Sequence, residues 1–415
     1  MTSTPPTPSM AGPELAELLY GDYSAADPRE ALRAMATVPA MKDPRTGALF
    51  VTGYDLVREL LLHPGLTSAT QRDPLAGTGL SEEQIALHRP VRDFVALWPV
   101  FSDGAYHQDL RSRIRPALDR RVVAALAADL ENDCRELLAG LRGTGGECDW
   151  IGEFCRPYSL ATLARLFGTS ADRMTDLAEA TDGLMAYLAK PRSYTDDDLA
   201  REANASLDRL RAEVREHLLE RAEGELAVVL RDIAADPALG PEVAVAVTAQ
   251  IVTGTLEPLA AVLTEVVMRG GERMASIAGP EAESASAQGE FTEEVLRISC
   301  PFRFAPRYAL QDMEIAGHQV AAGQRVMLIL AAANLDATVF PDPLAWRPGA
   351  HEAHSLAFSA GSHYCVGAPL ARGATDALTR VLAADGLRVS HDPATFKRAA
   401  PLGSDRILGL RVRIH

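Results

Sequence analysis

Apolar residues recur at three- and four-residue spacing through most of this 415-residue chain, and this periodicity limits the possible folds more than any other feature. It predicts helices at 13–19, 55–62, 110–141, 207–222 and 242–270. Strand signals are fewer and come late, where two β-rich runs within 313–330 flank the turn "AAG". We therefore expect a mainly α fold with a small β portion (α+β).

The chain shows neither a repeat period nor a long Pro/Gly/Ser linker, which favours a single large domain over two. With 47% hydrophobic residues it can bury a sizeable core. Residues 1–13 are rich in Pro, Ser and Thr, so we expect a disordered tail followed by one domain at 14–415. The best candidate for an internal loop is Ala278 to Gly289.

The net charge of −15 disfavours generic binding to nucleic acid or to an anionic membrane surface. The sequence shows no uninterrupted apolar run of membrane-spanning length and no signal-peptide pattern at its start. These features predict a cytoplasmic protein that acts on a small molecule. We also expect a monomer.

The five cysteines are an odd number without a close Cys-x-x-Cys pair, which argues against both a disulfide framework and a zinc site. We expect Cys134, Cys148, Cys155 and Cys300 to be buried, inert thiols. Cys365 differs, because it lies in the glycine-rich stretch "FSAGSHYCVG" just before a predicted helix. Backbone N–H groups and the positive end of the helix dipole would stabilise a thiolate there.

The complete stretch resembles the haem-binding loop of the cytochrome P450 family, Phe-x-x-Gly-x-(Arg/His)-x-Cys-x-Gly, at Phe358, Gly361, His363, Cys365 and Gly367. The resemblance implies the P450 fold and haem b (iron protoporphyrin IX) as cofactor. It makes Cys365 the ligand of the haem iron, where a thiolate pushes electron density to the metal. It also makes His363 a contact of a haem propionate.

Other motifs support the same resemblance. His107 and Arg111 are spaced i, i+4 on one helix face and, with Arg307, correspond to the cations that bind the propionates in this family. Glu294 and Arg297 correspond to the buried Glu-x-x-Arg ion pair of the P450 core.

Two positions depart from the family pattern. Leu335 replaces a usual arginine, and Ala345 stands where the third member of the Glu-Arg-Arg core is expected. Arg347, two residues further on, is the candidate substitute for that third member.

The oxygen side of the haem would be lined by the helix that carries "TGTLEP", from Thr253 to Pro258. Aligned on Gly254, Leu256 replaces the family's acid and Glu257 replaces its threonine. Helical geometry places Gly254, Glu257 and Pro258 on one side, so Glu257 is predicted to face the iron and Pro258 to kink the helix. Glu257 could donate protons or bind a basic group of the substrate. Alternatively, it could turn to a water channel or pair with an arginine.

By family position, the substrate pocket is expected between the segment from Asp73 to Trp98 and the stretch from Gln250 to Glu257. Other predicted pocket residues are Trp98, Leu184, Tyr187, Phe304, Ala305 and Leu402, with Gly403 beside the last.

The resemblance implies a haem-thiolate monooxygenase that activates O2 and oxidises a small organic substrate, with electrons from a ferredoxin and its reductase. A local basic patch of Arg113, Arg115, Arg120 and Arg121 would receive the ferredoxin, although an ordinary solvated helix face explains it equally well.

Composition resembles members from actinobacterial specialised metabolism, which favours a tailoring step in natural-product, antibiotic-type biosynthesis. One alternative is a haem enzyme that uses peroxide or that carries out coupling, desaturation or ring formation. Another is a haem protein that catalyses nothing, such as a sensor.

Overall fold

The computed structural model describes residues 28–43, 47–69, 75, 78–190, 193–270, 282–399 and 406–415. Side chains are described from residue 286 in the helix that begins at 282. Some predictions lie outside these ranges: the tail at 1–13, the helix at 13–19, Asp73 at the start of the predicted pocket segment, residues 278–281 of the loop candidate, and the pocket residues Leu402 and Gly403.

Helices account for most of the described chain. They are α1 (Arg29–Met35), α2 (Tyr54–Leu61), α3 (Glu82–Ala96), α4 (Gly104–Ile114), α5 (Arg120–Gly143), α6 (Arg156–Phe167), α7 (Ala171–Glu179), α8 (Asp182–Ala189), α9 (Asp197–Glu213), α10 (Glu225–Ala235), α11 (Pro241–Gly270), α12 (Ala282–Ser299), α13 (Leu330–Ala333) and α14 (Ala368–Ala384). Single π-helical turns precede α6 at Trp150–Cys155 and follow α9 at Val214–Leu219.

The strands are short. They are β1 (Ala40–Lys42), β2 (Leu49–Val51), β3 (Leu66–Thr67), β4 (Glu147–Asp149), β5 (Ala305–Ala309), β6 (Met313–Ile315), β7 (His318–Val320), β8 (Arg325–Leu328), β9 (Val389–His391), β10 (Lys397–Arg398), β11 (Ile407–Gly409) and β12 (Arg411–Ile414). The largest sheet has the order β1-β2-β8-β5-β3, and β2 and β8 pair in parallel with Leu49 opposite Val326. A second sheet has the order β4-β12-β9.

The predicted helices within the described ranges are present, but their boundaries differ from the prediction. The predicted helix at 110–141 is divided into α4 and α5 by a 3₁₀ turn at Arg115–Leu118, because Pro116 lacks the N–H that would continue α4. The loop candidate from Ala278 to Gly289 is wrong over 282–289, which form the first part of α12. Small and charged residues favoured a loop there, but the helix is held by packing further along its length.

The late β-rich segment also differs from the expectation. Its first run folds back on itself at Ala316 and Gly317, which both have positive φ, and forms the β6–β7 hairpin. Only the second run, as β8, joins the five-stranded sheet. The prediction missed β1, β2 and β3, because strands of two or three residues carry too little alternation to detect.

Two apolar clusters form the core. The first surrounds the five-stranded sheet, and the second lies among the helices from α3 to the first half of α11. Helix α11 contributes its second half to the first cluster and its first half to the second. The fold is therefore built around this one long helix.

Helix α11 comes nearest to membrane-spanning length, although Gln250 and Glu257 interrupt its apolar run. Within the described ranges it is the one helix long and apolar enough to cross a membrane, judged by length and composition alone. Its most apolar window has a mean hydropathy of 1.5. More than half of that window, 56%, is buried inside the protein, as in the core helix of a soluble protein. Its apolar character serves the core.

Candidate functional site

The stretch from Phe358 to Gly367 forms a tight loop that ends where α14 begins. The Cys365 amide donates to the Phe358 carbonyl at 2.9 Å, and Gly361 starts a short 3₁₀ turn. Gly361 has a φ of +70°, and a Cβ there would lie 2.7 Å from Cδ2 of Leu62. Backbone conformation and close contact both require glycine at this position.

The Cys365 sulfur faces backbone donors at the start of α14. Burial raises the pKa of its thiol, while the N–H groups of Gly367 and Ala368 and the charge of Arg111 act in the opposite direction. A Cβ on Gly367 would approach the sulfur to 3.8 Å. The loop thus holds a partly buried cysteine with hydrogen-bond donors beside its sulfur, as a thiolate metal ligand requires.

The remaining cysteines, Cys134, Cys148, Cys155 and Cys300, are buried and free of disulfides, as predicted. Burial raises the pKa of the first three thiols. Arg135 lies near Cys134, Arg411 near Cys148 and the Thr264 hydroxyl near Cys155, but burial dominates at each of these thiols.

Arg372 on α14 contacts two residues of the cysteine loop, Phe358 and Tyr364. The sequence analysis did not identify it as a site residue. Its guanidinium carbon lies 4.6 Å from the centre of the Phe358 ring, and its Nη1 donates to the Tyr364 hydroxyl at 3.1 Å. Glu293 on α12 accepts from its Nε. Arg372 lies seven residues after Cys365, which puts it on the second turn of the helix that follows the loop.

Helix α4 brings His107 and Arg111 to the loop, on one face as predicted. The Arg111 Nη2 donates to the Tyr364 carbonyl at 2.6 Å. The His107 ring is buried and stacks on His363 with a centroid distance of 4.2 Å. Burial, together with the charges of His363 and Arg111, lowers the pKa of His107 to about 4.

Arg307 on β5 is a buried cation with spare donors. It is 5% exposed, and its Nη1 donates to the Pro306 carbonyl at 2.9 Å. Its Nη2 is buried and has no hydrogen-bond partner among the residues that the structure describes. Since an unsatisfied buried guanidinium is costly, an anionic ligand is the natural partner of this donor.

The structure adds Asp103, which the sequence analysis did not single out. Its Oδ1 lies 2.7 Å from Nε2 of His363, and its Oδ2 accepts from the Thr67 hydroxyl and from the Ser68 amide. Burial would raise the pKa of this carboxyl, but the hydrogen bonds outweigh burial and lower the pKa to about 2. The available signal was an acidic residue at the start of α4, four positions before His107.

The predicted ion pair of Glu294 and Arg297 is present and buried. Arg297 donates from Nε and Nη2 to both carboxylate oxygens at 2.8 Å. Its Nη1 donates to the carbonyls of Asn334 and Pro343 at 2.8 and 2.9 Å. The pair therefore ties α12 to the segment after α13.

The prediction that the Arg347 side chain completes this core is wrong. Its guanidinium is half exposed and pairs with Asp342 at 3.1 Å, while its backbone N–H donates to Glu294 at 3.1 Å. The nearby side chain is that of His351, 3.9 Å from the same carboxylate. A main-chain donor thus occupies the place where the sequence suggested a cation.

The middle of α11 is open, unlike its two halves. Gly254 is exposed, and a Cβ added to it would meet nothing within 4 Å. The Thr253 hydroxyl donates to the Ala249 carbonyl at 2.7 Å, and the helix continues through Pro258 without ending there. Leu256 packs against the helical cluster, away from this opening.

The Glu257 carboxylate pairs with the Arg406 guanidinium at 3.1 Å, with 30% of the Glu257 side chain exposed. Of the alternatives that the sequence left open, the structure thus holds the arginine pair. Arg406 lies 149 positions away in the chain, just before β11.

The predicted substrate-pocket residues occupy different environments. Leu184 and Tyr187 on α8 are fully buried in the helical cluster, and the Tyr187 hydroxyl lies 2.8 Å from Nδ1 of His88. Trp98 is buried and stacks on Phe101 at 6.2 Å. Phe304 is partly buried, as is Ala305 at the start of β5, and both pack against the cluster around the sheet.

A cavity separates the cysteine loop from α11. It is lined by Val366 of the loop, by Arg111 and Ile114 of α4, and by Gln250 and Ile251 of α11, with Pro99 and Val247. The Cys365 sulfur beside N–H donors and the unsatisfied Nη2 of the buried Arg307 are the kind of groups that would hold a flat anionic cofactor with a thiolate ligand.

Comparison with known proteins agrees with this geometry. The family model "Cytochrome P450" matches residues 290–382, which contain Glu294, Arg297, Arg307 and Cys365. The putative cytochrome P450 140 of Mycobacterium tuberculosis is 42% identical over 117 residues, 28% of this chain and 24% of that protein. The match thus spans about a quarter of that relative's length. The steroid C26-monooxygenase of the same organism is 25% identical over 84% of each chain. The chain belongs to the cytochrome P450 family.

Solved P450 structures share the whole fold. CYP164A2 of Mycobacterium smegmatis, in its ligand-free state, has a TM-score of 0.78 and 24% identity over 97% of this chain and 100% of that one. The tirandamycin C-bound P450 monooxygenase TamI has a TM-score of 0.75 and 23% identity over 94% and 98%.

The predictions of the P450 fold and of a single domain of α+β class are confirmed. P450 proteins bind haem, with haem b as the standard form. The roles of individual site residues stay predictions.

Proposed function

We propose that this P450 is a haem-thiolate monooxygenase that activates O2 to oxidise a small organic substrate. The supporting observation is the sulfur of the partly buried Cys365, set beside the N–H groups of Gly367 and Ala368 and separated from α11 by a cavity. Haem b, when bound, supplies the O2 activation and oxidation chemistry, and a thiolate ligand increases electron density on its iron.

In this proposal the chain's own residues bind and orient the cofactor. Cys365 ligates the iron through its sulfur. Arg307 offers the donors of a buried guanidinium to a propionate, and His107, Arg111 and His363 supply further donors nearby.

Glu257 is the proposed proton-handling residue on α11. In the open middle of α11, residues 250–258, it is the one side chain with an acidic or basic group. The Thr253 hydroxyl is engaged with the Ala249 carbonyl, so it does not replace the alcohol of the family's acid–alcohol pair. Arg406 holds the Glu257 carboxylate and would release it when a proton or a basic substrate group arrives.

The altered oxygen side supports a second candidate reaction. Leu256 stands in place of the acid and packs into the core, so proton delivery to bound O2 differs from the family pattern. Peroxide use, oxidative coupling, desaturation or ring formation depend less on that delivery than hydroxylation does. One P450 with the same fold is bound to tirandamycin C. We therefore place the reaction in natural-product tailoring, on an antibiotic-type secondary metabolite.

We further propose a ferredoxin with its reductase as electron donor, and a monomeric protein in the cytoplasm. The basic patch is smaller than the sequence suggested. Arg113 is paired with Asp109 and Asp236, and Arg121 with Glu225. Arg115 and Arg120 stay exposed, without ion pairs to described residues, and are the cations available for docking.

A CO difference spectrum tests the haem-thiolate assignment. The reduced protein with CO should show the red-shifted band of thiolate-ligated haem, and Cys365→Ala should lose it. Persistence of the band in Cys365→Ala would refute the assignment.

Turnover then tests the reaction. We expect Glu257→Ala to lose turnover with O2, ferredoxin and reductase while the CO band is retained. Glu242→Ala, at the start of the same helix and paired with Arg211, is the matched control and should keep its activity. Better turnover with peroxide than with O2 would favour the second candidate. Normal turnover of Glu257→Ala would contradict its proposed role.

A further inference from the structure

Asp103 occupies a position from which an aspartate ordinarily caps its own helix. It is the N-cap residue of α4, and such a side chain usually accepts from the backbone N–H groups of the first turn. Here the side chain makes no capping hydrogen bond. It reaches away from α4, so local helix stability does not explain it.

The carboxylate instead joins three elements. Its Oδ2 accepts from the Thr67 hydroxyl and from the amides of Ser68 and Ala69, at and just after β3. Its Oδ1 lies 2.7 Å from Nε2 of His363 in the cysteine loop. Asp103 itself immediately precedes α4, which carries His107.

Asp103 lies near two imidazoles, those of His107 and His363, and near the buried guanidinium of Arg307. His107 offers a ring nitrogen within 4.8 Å of ligand atoms of both Asp103 and His363. The Arg307 charge lies near enough for Asp103 to act on its pKa, and Arg307 keeps a buried Nη2 without a partner among described residues. The fixed negative charge of Asp103 therefore sits beside the cations that we assign to the propionates.

We propose that Asp103 is a positioning residue of the haem propionate site, which fixes the His363 ring and places a permanent negative charge at the haem edge. This inference rests on the proposed function, because it concerns the same haem. Held by Nε2, the imidazole cannot rotate, and its Nδ1 has no hydrogen-bond partner among the described residues. That nitrogen is the one left to face a propionate.

Two properties of the holoprotein should follow. A negative charge near haem disfavours the reduced state, because reduction adds an electron to the same region. Removal of the charge should therefore raise the reduction potential. Loss of the hydrogen bond should free the His363 ring and speed haem loss by about tenfold, as expected for one charge-assisted hydrogen bond.

The experiment compares Asp103→Asn, Asp103→Ala and wild-type holoprotein. Asparagine keeps an acceptor of the same shape and removes the charge, so it should raise the potential with a small effect on haem loss. Alanine should raise the potential and also accelerate haem transfer to excess apomyoglobin. Both variants should keep the CO band of the thiolate-ligated haem, because Cys365 is unchanged.

Asp119→Asn is the matched control. Asp119 is the N-cap of α5 and does cap its helix, since it accepts from the amides of Arg121 and Val122 at 2.9 and 3.0 Å. This control removes a carboxylate charge but keeps the capping acceptor, so it should change neither the potential nor the rate of haem loss.

If the Asp103 variants lose stability but keep the wild-type potential and haem-loss rate, Asp103 is only a structural tie and the inference is wrong. Slower haem loss would also overturn it, because Asp103 would then compete with the propionates for their cations. A wild-type protein without the thiolate band would instead contradict the proposed function itself, and this inference would fall with it.

Discussion

Replacement of Arg297 by methionine should destabilise the protein more than the loss of any surface ion pair. The guanidinium makes four hydrogen bonds, two to Glu294 and one each to the carbonyls of Asn334 and Pro343. It also lies over the Phe340 ring, 5.1 Å from its centre. Methionine would fill much of the same volume but would offer none of these donors.

The loss of stability arises because the Glu294 carboxylate stays buried without its arginine partner. Glu294 is 4% exposed, so its carboxylate would keep only the Arg347 amide at 3.1 Å and a distant His351 at 3.9 Å. Removal of one partner of a buried ion pair costs about 3–5 kcal/mol, because a buried charge is left uncompensated. Two buried carbonyls would lose a donor as well, so we expect the upper part of this range.

Urea or guanidinium unfolding, followed by circular dichroism, measures the change. Arg135→Met is the control, because Arg135 pairs with Asp385 at 3.1 Å with about two fifths of its side chain exposed, and its loss should cost below about 1 kcal/mol. The double variant Glu294→Leu/Arg297→Met should be more stable than Arg297→Met alone, since it leaves no unpaired charge. A loss below about 1 kcal/mol for Arg297→Met, or a double variant less stable than the single, would refute this reasoning.

Other substitutions have equally direct consequences. Gly361→Ala should cost about 1–2 kcal/mol of thermal stability and loosen the cysteine loop, because φ is +70° and Leu62 blocks the new methyl group; an unchanged melting temperature would contradict this. Tyr187→Phe should cost about 1–3 kcal/mol in denaturant unfolding by leaving the buried His88 nitrogen unpaired. Burial raises the pKa of Glu294, but the Arg297 hydrogen bonds and charge outweigh it and lower the pKa. The corresponding stability is present above the ordinary glutamate pKa and is lost as pH falls below it, so Glu294→Gln should flatten the acid side of the stability–pH curve.

Short-range patterns carried most of the correct predictions. The cysteine loop is a run of ten residues, His107 and Arg111 are one helical turn apart, and the Glu294–Arg297 pair is spaced i, i+3. Each can be inferred from local geometry once the helix is recognised. The long apolar helix α11 also followed from its periodicity.

Long-range pairings could not be predicted. Asp103 meets His363 across 260 positions, and Glu257 meets Arg406 across 149, because each contact depends on how separate elements pack. The error at Arg347 has a related cause. The sequence suggested that the Arg347 guanidinium contacts Glu294. In the structure it is the backbone N–H of Arg347 that donates to this carboxylate.

The parallel pairing of β2 with β8 also bears on how this protein is made in the cell. Leu49 lies opposite Val326, so the ribosome must add about 280 residues before β2 can pair with β8. At roughly 5–20 residues per second, this takes about 15–55 s. During that time the edge of β2 is available for incorrect pairing, and chaperones would have to cover it. Phe358 to Gly367 emerge later still, so the cofactor cannot be captured until these residues have also been synthesised.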